Sequence, residues 1–373
     1  MTSQGLRKMV AKFEVTGFVS VAPRWERKSA LIETDRAVAL AVEKATMEST
    51  YGTCSLGEKQ DESSKREEQK ECRKCGRRIP SLEGSRGNDR IIDGRQVKPV
   101  SKYPWVVKLD ADRDCAGSII SKKYILTSAF CFTKEEADHN QECMNLTVPS
   151  QCFIEKSQMK IRLPWRDSSR FRQTLEADEL LPHPEYYHVC KQNDIGLIRV
   201  AQGIECNSFK QPICLPTDDN KNFRNKLIIT GWGQTTPDGI IGSKVLREGE
   251  MKQVNTRRCI QEYKCFQLNI TMIVCAVGTH KQQTPCKGDS GGATFAGFNR
   301  AYYAVGLTTL SHTTPCQPSK SIAYTRVSAY INWIKQYVEE LPKPYKYFVQ
   351  VEELEIDTEP FEVPEPPKNK DSP

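Results

Sequence analysis

Long apolar runs, metal-type cysteine spacings and histidine are all scarce in this sequence of 373 residues, and each scarcity closes off a class of function. No stretch approaches the roughly 20 apolar residues that carry a helix across a bilayer, so no membrane association is expected. Fifteen cysteines occur without the repeated C-x-x-C spacing of zinc sites, so neither a metal nor a cofactor is expected. They read instead as a disulfide framework made in an oxidising compartment. Their odd number leaves at least one thiol free or paired with another chain. Histidine, the usual proton carrier at neutral pH, occurs only at His139, His183, His188, His280 and His312.

Two N-x-[ST] sequons, at Asn145 and Asn269, fit a secreted, glycosylated chain. An ordinary secretory signal is missing: Phe13 to Val21 is interrupted by Glu14, Thr16 and Gly17, and Arg36 to Val42 is too short. The signal is expected to be atypical or to lie upstream of this start. Charge is spread unevenly, with 18 basic and 14 acidic side chains in residues 1–90, 4 and 8 in residues 342–373, and +7 left on the middle. Without a compact basic stripe or interleaved aromatics, no nucleic-acid partner is expected.

Four segments follow from composition. Residues 1–54 form an N-terminal extension of unreadable role, with an imperfect helical pattern between Ala30 and Met47. Residues 55–90 are dominated by Lys, Arg, Glu, Ser and Gly and read as an exposed linker. From Ile91 onward, short runs such as PWVVKL, IGLIRV, KLIITGWG and AYYAVGLTTL, separated by Gly, Pro, Asn and Asp, predict an all-β domain extending to about residue 341. Val327 to Glu340 reads as one closing amphipathic helix. Residues 342–373 hold seven prolines and many acids, an extended tail that is either solvated or a polyproline-type docking segment.

Chemistry concentrates at Gly288-Asp289-Ser290-Gly291-Gly292, where glycines permit a tight turn whose amides at Gly288 and Ser290 point together at a developing oxyanion. Around it, in order, stand Arg90-Ile91-Ile92-Asp93-Gly94, Tyr103-Pro104-Trp105, Cys115-Ala116-Gly117-Ser118, Asn193-Asp194-Ile195-Gly196-Leu197, Gly231-Trp232-Gly233 and Tyr324-Thr325-Arg326-Val327. In order and spacing these resemble the trypsin/chymotrypsin family of serine peptidases over roughly residues 75–340. The resemblance implies two six-stranded antiparallel β-barrels, a site in the cleft between them, and a C-terminal helix. It matches Ser290 to the nucleophile and Asp194 to the carboxylate that orients the catalytic histidine.

That histidine's place falls on Phe130, in Ser128-Ala129-Phe130-Cys131. A phenyl ring neither takes nor returns a proton, and loss of the histidine costs a serine peptidase of the subtilisin type about 10⁶-fold in turnover. His183, in a Leu-Pro-His-Pro turn, and His188, shortly before Asp194, are expected to be surface loop residues and not substitute bases. By the same resemblance the specificity-pocket floor falls on Thr284 and its walls on Thr309-Leu310-Ser311 and on Ile322, a β-branched residue where the family has glycine. Ile322 is expected to fill the slot.

The activation apparatus is complete by comparison: cleavage after Arg90 by a trypsin-like protease frees the Ile91 amine, which pairs in active members with the carboxylate matching Asp289. An inherited junction that is never cut stays open as the alternative. Also implied are the pairings Cys115 with Cys131, Cys259 with Cys275, Cys286 with Cys316, and Cys75 with Cys214, the last tying the pro-segment to the domain. Cys143 with Cys152 is a plausible local bridge. The function implied is a secreted, non-catalytic homologue that binds protein partners through its barrel loops; a weakly active endopeptidase is the alternative.

Overall fold

The computed structural model describes residues 72–77, 94–164, 171–216, 223, 226–236, 242–263, 269–279, 283–309, 316–317 and 320–345. Arg90, Ile91 and Ser311, the extension 1–54, nearly all of the linker and the tail from residue 346 lie outside them. Strands are short and alternate as a half-buried surface demands. In β6 (Lys160–Pro164), Ile161 and Leu163 point inward while Lys160 and Arg162 point out.

Two closed barrels result. The first is built from β3 (Val106–Asp110), β4 (Asp114–Ile119), β5 (Tyr124–Thr127), β6, β7 (Phe171–Pro182) and β8 (Gly196–Val200), in the order β3-β4-β5-β8-β7-β6. Antiparallel pairing of β3 with β6 closes it. The second uses β9 (Lys226–Gly231), β10 (Arg247–Gln253), β11 (Ile273–Gly278), β12 (Ala293–Phe298), β13 (Ala301–Thr308) and β14 (Ile322–Arg326), and the β10–β11 pairing closes it. A two-residue strand, β2 (Arg95–Gln96), adds to the edge of β10. Closure removes the free edges on which strands otherwise aggregate.

The barrels meet through aromatic side chains. Trp105 and Phe295 stand edge to face at 5.2 Å, Tyr103 and Phe295 at 4.9 Å, and all three rings are buried. Beside them Glu248 of β10 accepts from Lys102 Nζ at 2.7 Å and from the Tyr103 hydroxyl at 2.6 Å. A carboxylate this buried is tolerable only with such partners.

A short helix, α1 (Thr256–Tyr263), carries Cys259 against β11. The closing helix is shorter than the sequence pattern suggests. A 3-10 turn over Val327–Tyr330 leads into α2 (Ile331–Tyr337), and the chain is extended again at β15 (Lys343–Pro344). Val338 ends it in an extended conformation (φ −106°, ψ 96°), and Pro342 and Pro344 prevent any helix further on, since neither supplies an amide. The ordered chain thus reaches four residues into the expected tail, to Tyr345.

Six disulfides join described residues: Cys72–Cys206, Cys75–Cys214, Cys115–Cys131, Cys143–Cys152, Cys259–Cys275 and Cys286–Cys316. All five pairings expected above are present. The sixth, Cys72–Cys206, is a second tether of the pro-segment, and Cys190 is disulfide-bonded as well. The tethered segment is itself a strand, β1 (Lys74–Cys75), lying parallel to β15 with Lys74 opposite Lys343. A cut anywhere between residues 78 and 93 is therefore expected to release nothing. On non-reducing gels the cleaved chain should migrate as one species and separate on reduction, whereas Cys206→Ser/Cys214→Ser should lose its N-terminal piece without reductant.

Candidate functional site

The cleft residues come from four loops that the barrels hold together. β5 delivers Ser128 to Cys131 into a 3-10 turn, the segment before β8 delivers Asp194, the turn before β12 delivers Gly288 to Gly292, and β13 ends at Thr308 and Thr309. An amide of β4 anchors one of them to the first barrel, since Ala116 N donates to Ser290 O at 2.8 Å.

Gly288 has φ +99°, a conformation open to glycine and strained for other residues. The turn this makes buries Asp289, whose two oxygens accept from the amides of Gly233 (2.8 Å) and Cys286 (2.9 Å). A Cβ on Gly233 would come within 2.5 Å of that carboxylate, which explains the glycine after Trp232. Burial pushes the Asp289 carboxyl up to about 6, against the lowering effect of the two amides. Its expected amine partner, on Ile91, lies outside the described residues.

Asp194 is wholly buried. Its Oδ1 accepts from Ser128 Oγ (2.6 Å) and from the backbone amide of Phe130 (2.8 Å). Burial raises its pKa, opposed by the Ser128 bond, by the charge of Lys191 and by the Phe130 amide. The Thr309 hydroxyl, 3.0 Å from Thr325 Oγ1, lowers it too from its place beside the carboxylate. Among the described residues, Asp194 Oδ2 and Ser290 Oγ are both buried without a hydrogen-bond partner. Two such orphans in one cleft cost about 1–3 kcal/mol each. Phe130, whose backbone amide meets Asp194 Oδ1, has a side chain that can satisfy neither.

Phe130 is itself buried, at 6% exposure, and two cations lie over its ring. Lys191 Nζ and Arg113 Cζ are each 4.2 Å from the ring centroid, well within cation–π range. Arg113, in the β3–β4 hairpin, also donates to Thr133 O (3.0 Å), Lys134 O (2.7 Å) and Asp138 Oδ2 (2.9 Å). Lys191 is half-buried, and the loss of hydration brings its pKa down to about 8 despite the attraction of Asp194 and Asp138.

His188 corrects an expectation. It is 2% exposed, not on the surface, because the loop folds it under Tyr186 and Asp138. His188 Nε2 bonds Asp138 Oδ1 at 2.8 Å, and Nδ1 lies 3.1 Å from the Tyr186 hydroxyl. Burial alone would raise Asp138, but the bonds from His188 and Arg113 hold its carboxyl well below the usual range. This Asp–His–Tyr chain has both ring nitrogens engaged, so His188 has none to offer Ser290. His183 is also no simple surface residue: it packs against Tyr330 and Trp333 at 5.3 and 5.1 Å, and burial lowers its pKa. Its ring thereby docks the C-terminal helix.

Thr284 and Ile322, the expected floor and wall of a specificity slot, do meet. Both are buried, and with Thr308, Thr309 and the Cys286–Cys316 bridge they surround a residual cavity of about 10 Å³. That is at the lower limit for a single water. Sequence reasoning missed Arg113, Asp138, Tyr186, Lys191 and the buried role of His188. The only available signal was proximity: Lys191 lies three residues before Asp194 and Arg113 two before Cys115.

The raised Asp289 carboxyl carries a pH signature. The folded, uncut chain binds its proton up to about pH 6, the unfolded chain only to about 4, so stability falls as pH rises through that window. The expected loss attached to this group is about 3 kcal/mol. Denaturant unfolding of wild type and Asp289→Asn between pH 4 and 7 should show it: the substitution flattens the decline, and parallel curves would refute it.

Similar proteins carry the same domain. Melanization protease 1 of Drosophila melanogaster is 27% identical, over 68% of this chain and 67% of its own length. Serine protease 41 of Homo sapiens is 27% identical over 70% and 81%. The clotting factor G beta subunit of Tachypleus tridentatus is 30% identical over 66% and 79%. The sequence model of the trypsin family matches residues 91–334, which with the paired barrels makes this chain a member of the trypsin family.

Proposed function

We propose that this member of the trypsin family is non-catalytic, a secreted scaffold that binds protein partners through its barrel loops. The observation carrying the reading is Phe130: it holds the histidine's place with a ring that cannot carry a proton and is covered by Lys191 and Arg113, while its backbone amide donates to a buried Asp194 whose Oδ2, like Ser290 Oγ, has no hydrogen-bond partner among the described residues. Serine at its ordinary pKa is a poor nucleophile, and the reaction needs a base within hydrogen-bond reach. The filled slot at Thr284 and Ile322 supports the same reading, because little room is left for a large P1 side chain. Similarity to a melanization protease and a clotting factor subunit favours an extracellular proteolytic cascade as the setting. There the chain acts by occupancy and not by cleavage, and a trypsin-like protease cutting after Arg90 is its regulator.

Secretion is further supported by the disulfides and by the two sequons. Asn145 and Asn269 are exposed, and Asn269 Oδ1 accepts from the amide (3.0 Å) and hydroxyl (2.8 Å) of Thr271. The middle residues of both sequons, Leu146 at 68% and Ile270 at 47%, are among the exposed large apolar side chains, which a glycan would cover. Chain secreted from eukaryotic cells should drop in mass in two steps on endoglycosidase treatment. Asn145→Gln and Asn269→Gln should each remove one step.

The decisive assay cuts the secreted chain with limiting trypsin, then exposes it to a fluorophosphonate and a peptide library. Wild type is expected to be silent in both, about 10⁶-fold below an active member of the family. Labelling that Ser290→Ala abolishes would establish the weakly active endopeptidase instead.

A further inference from the structure

The charge around Phe130 is more than a by-product of a lost base. Lys191 and Asn193 both have left-handed backbone conformations, φ 49° and 50°. Asparagine accepts this readily, lysine only at a cost. The strained loop turns the Lys191 side chain inward, where its amine lies 4.2 Å from the Phe130 centroid and 3.4 Å from His188 Nδ1. From outside, the loop is pinned by the Tyr330 hydroxyl, which donates to Asn193 Oδ1 at 2.8 Å. Exposed lysines need no such construction.

We propose that Lys191 with Arg113 forms a cationic pair over position 130 that forbids an effective base there. The reasoning rests on the non-catalytic reading above and extends it to the chemistry of the same site. A phenyl ring welcomes cations through its quadrupole, whereas an imidazole in the same place would have to acquire a positive charge beside two that are already there. The charged and titratable groups facing the position are Arg113 from the β3–β4 hairpin, Asp138 from the loop after β5, and Tyr186, His188, Lys191 and Asp194 from the segment before β8. Asp194 would favour the imidazolium, but Lys191 is already pulled by that same carboxylate. The site is therefore closed to repair by a single substitution.

Two measurements on the full chain test this. By NMR titration, the imidazole introduced by Phe130→His should have a pKa about one unit or more below the ordinary 6.5. It should rise by about one unit in Phe130→His/Lys191→Gln and stay low in Phe130→His/Lys191→Arg, and fluorophosphonate labelling should be at least about tenfold faster in the Gln double variant than in Phe130→His. Equal titration in all three variants would overturn the proposal. If wild type itself were labelled, the non-catalytic reading would fail, while the titrations would still judge the cationic pair.

Discussion

A carboxylate with no exposure to water sets the terms for the cleft. Asp194 can remain charged only if hydrogen bonds and a cation replace its hydration, so every element touching it is constrained. The Ser128 hydroxyl and Phe130 amide fix the turn after β5, and the charge of Lys191 requires the loop before β8 to bend inward. That bend brings His188 beneath Tyr186 and Asp138, and Asp138 in turn engages Arg113 from the opposite hairpin. The result is a set of charges that satisfies most of its members while the one histidine in it is held by Asp138 and Tyr186. Only Asp194 Oδ2 and Ser290 Oγ go unmet among the residues bordering it.

Much of this molecule can be read from sequence because its constraints are local or tied to motifs. Strand alternation marks β6 and the segments around it, and closed barrels follow from the ordered motifs. Glycine at 288 follows from a turn only glycine accommodates easily, and the meeting of Thr284 with Ile322 follows from their places beside Ser290 and Tyr324. What sequence conceals is burial imposed by distant chain. A loop lysine ordinarily reads as solvated, and nothing near Lys191 announces that Phe130, Asp138 and Arg113 will enclose it. His188 misleads for the same reason. Cys72 and Cys206, 134 residues apart, have no motif to join them, and their pairing appears only once β1 is laid beside β15.

The two clefts of chemistry in the molecule differ in how they store charge. Around Asp194, a hydroxyl and an amide meet one carboxylate oxygen, and the charge of Lys191 opposes the effect of burial. Around Asp289, backbone amides alone meet the charge among the described residues, and burial keeps the group prone to protonation.

The short parallel pairing of β1 with β15 has a mechanical meaning. Residues 72–77 and 343–345 are stitched side by side, with Cys72 and Cys75 bonded into the body and the Tyr345 ring 5.0 Å from Lys74 Nζ and 5.5 Å from Arg77 Cζ. Tension applied through the two ends of this ordered region would meet at that junction, pulling on covalent sulfur bonds before it reached either barrel. A chain pulled from both sides would thus carry load along its edge, and the barrel loops would keep their shape under force.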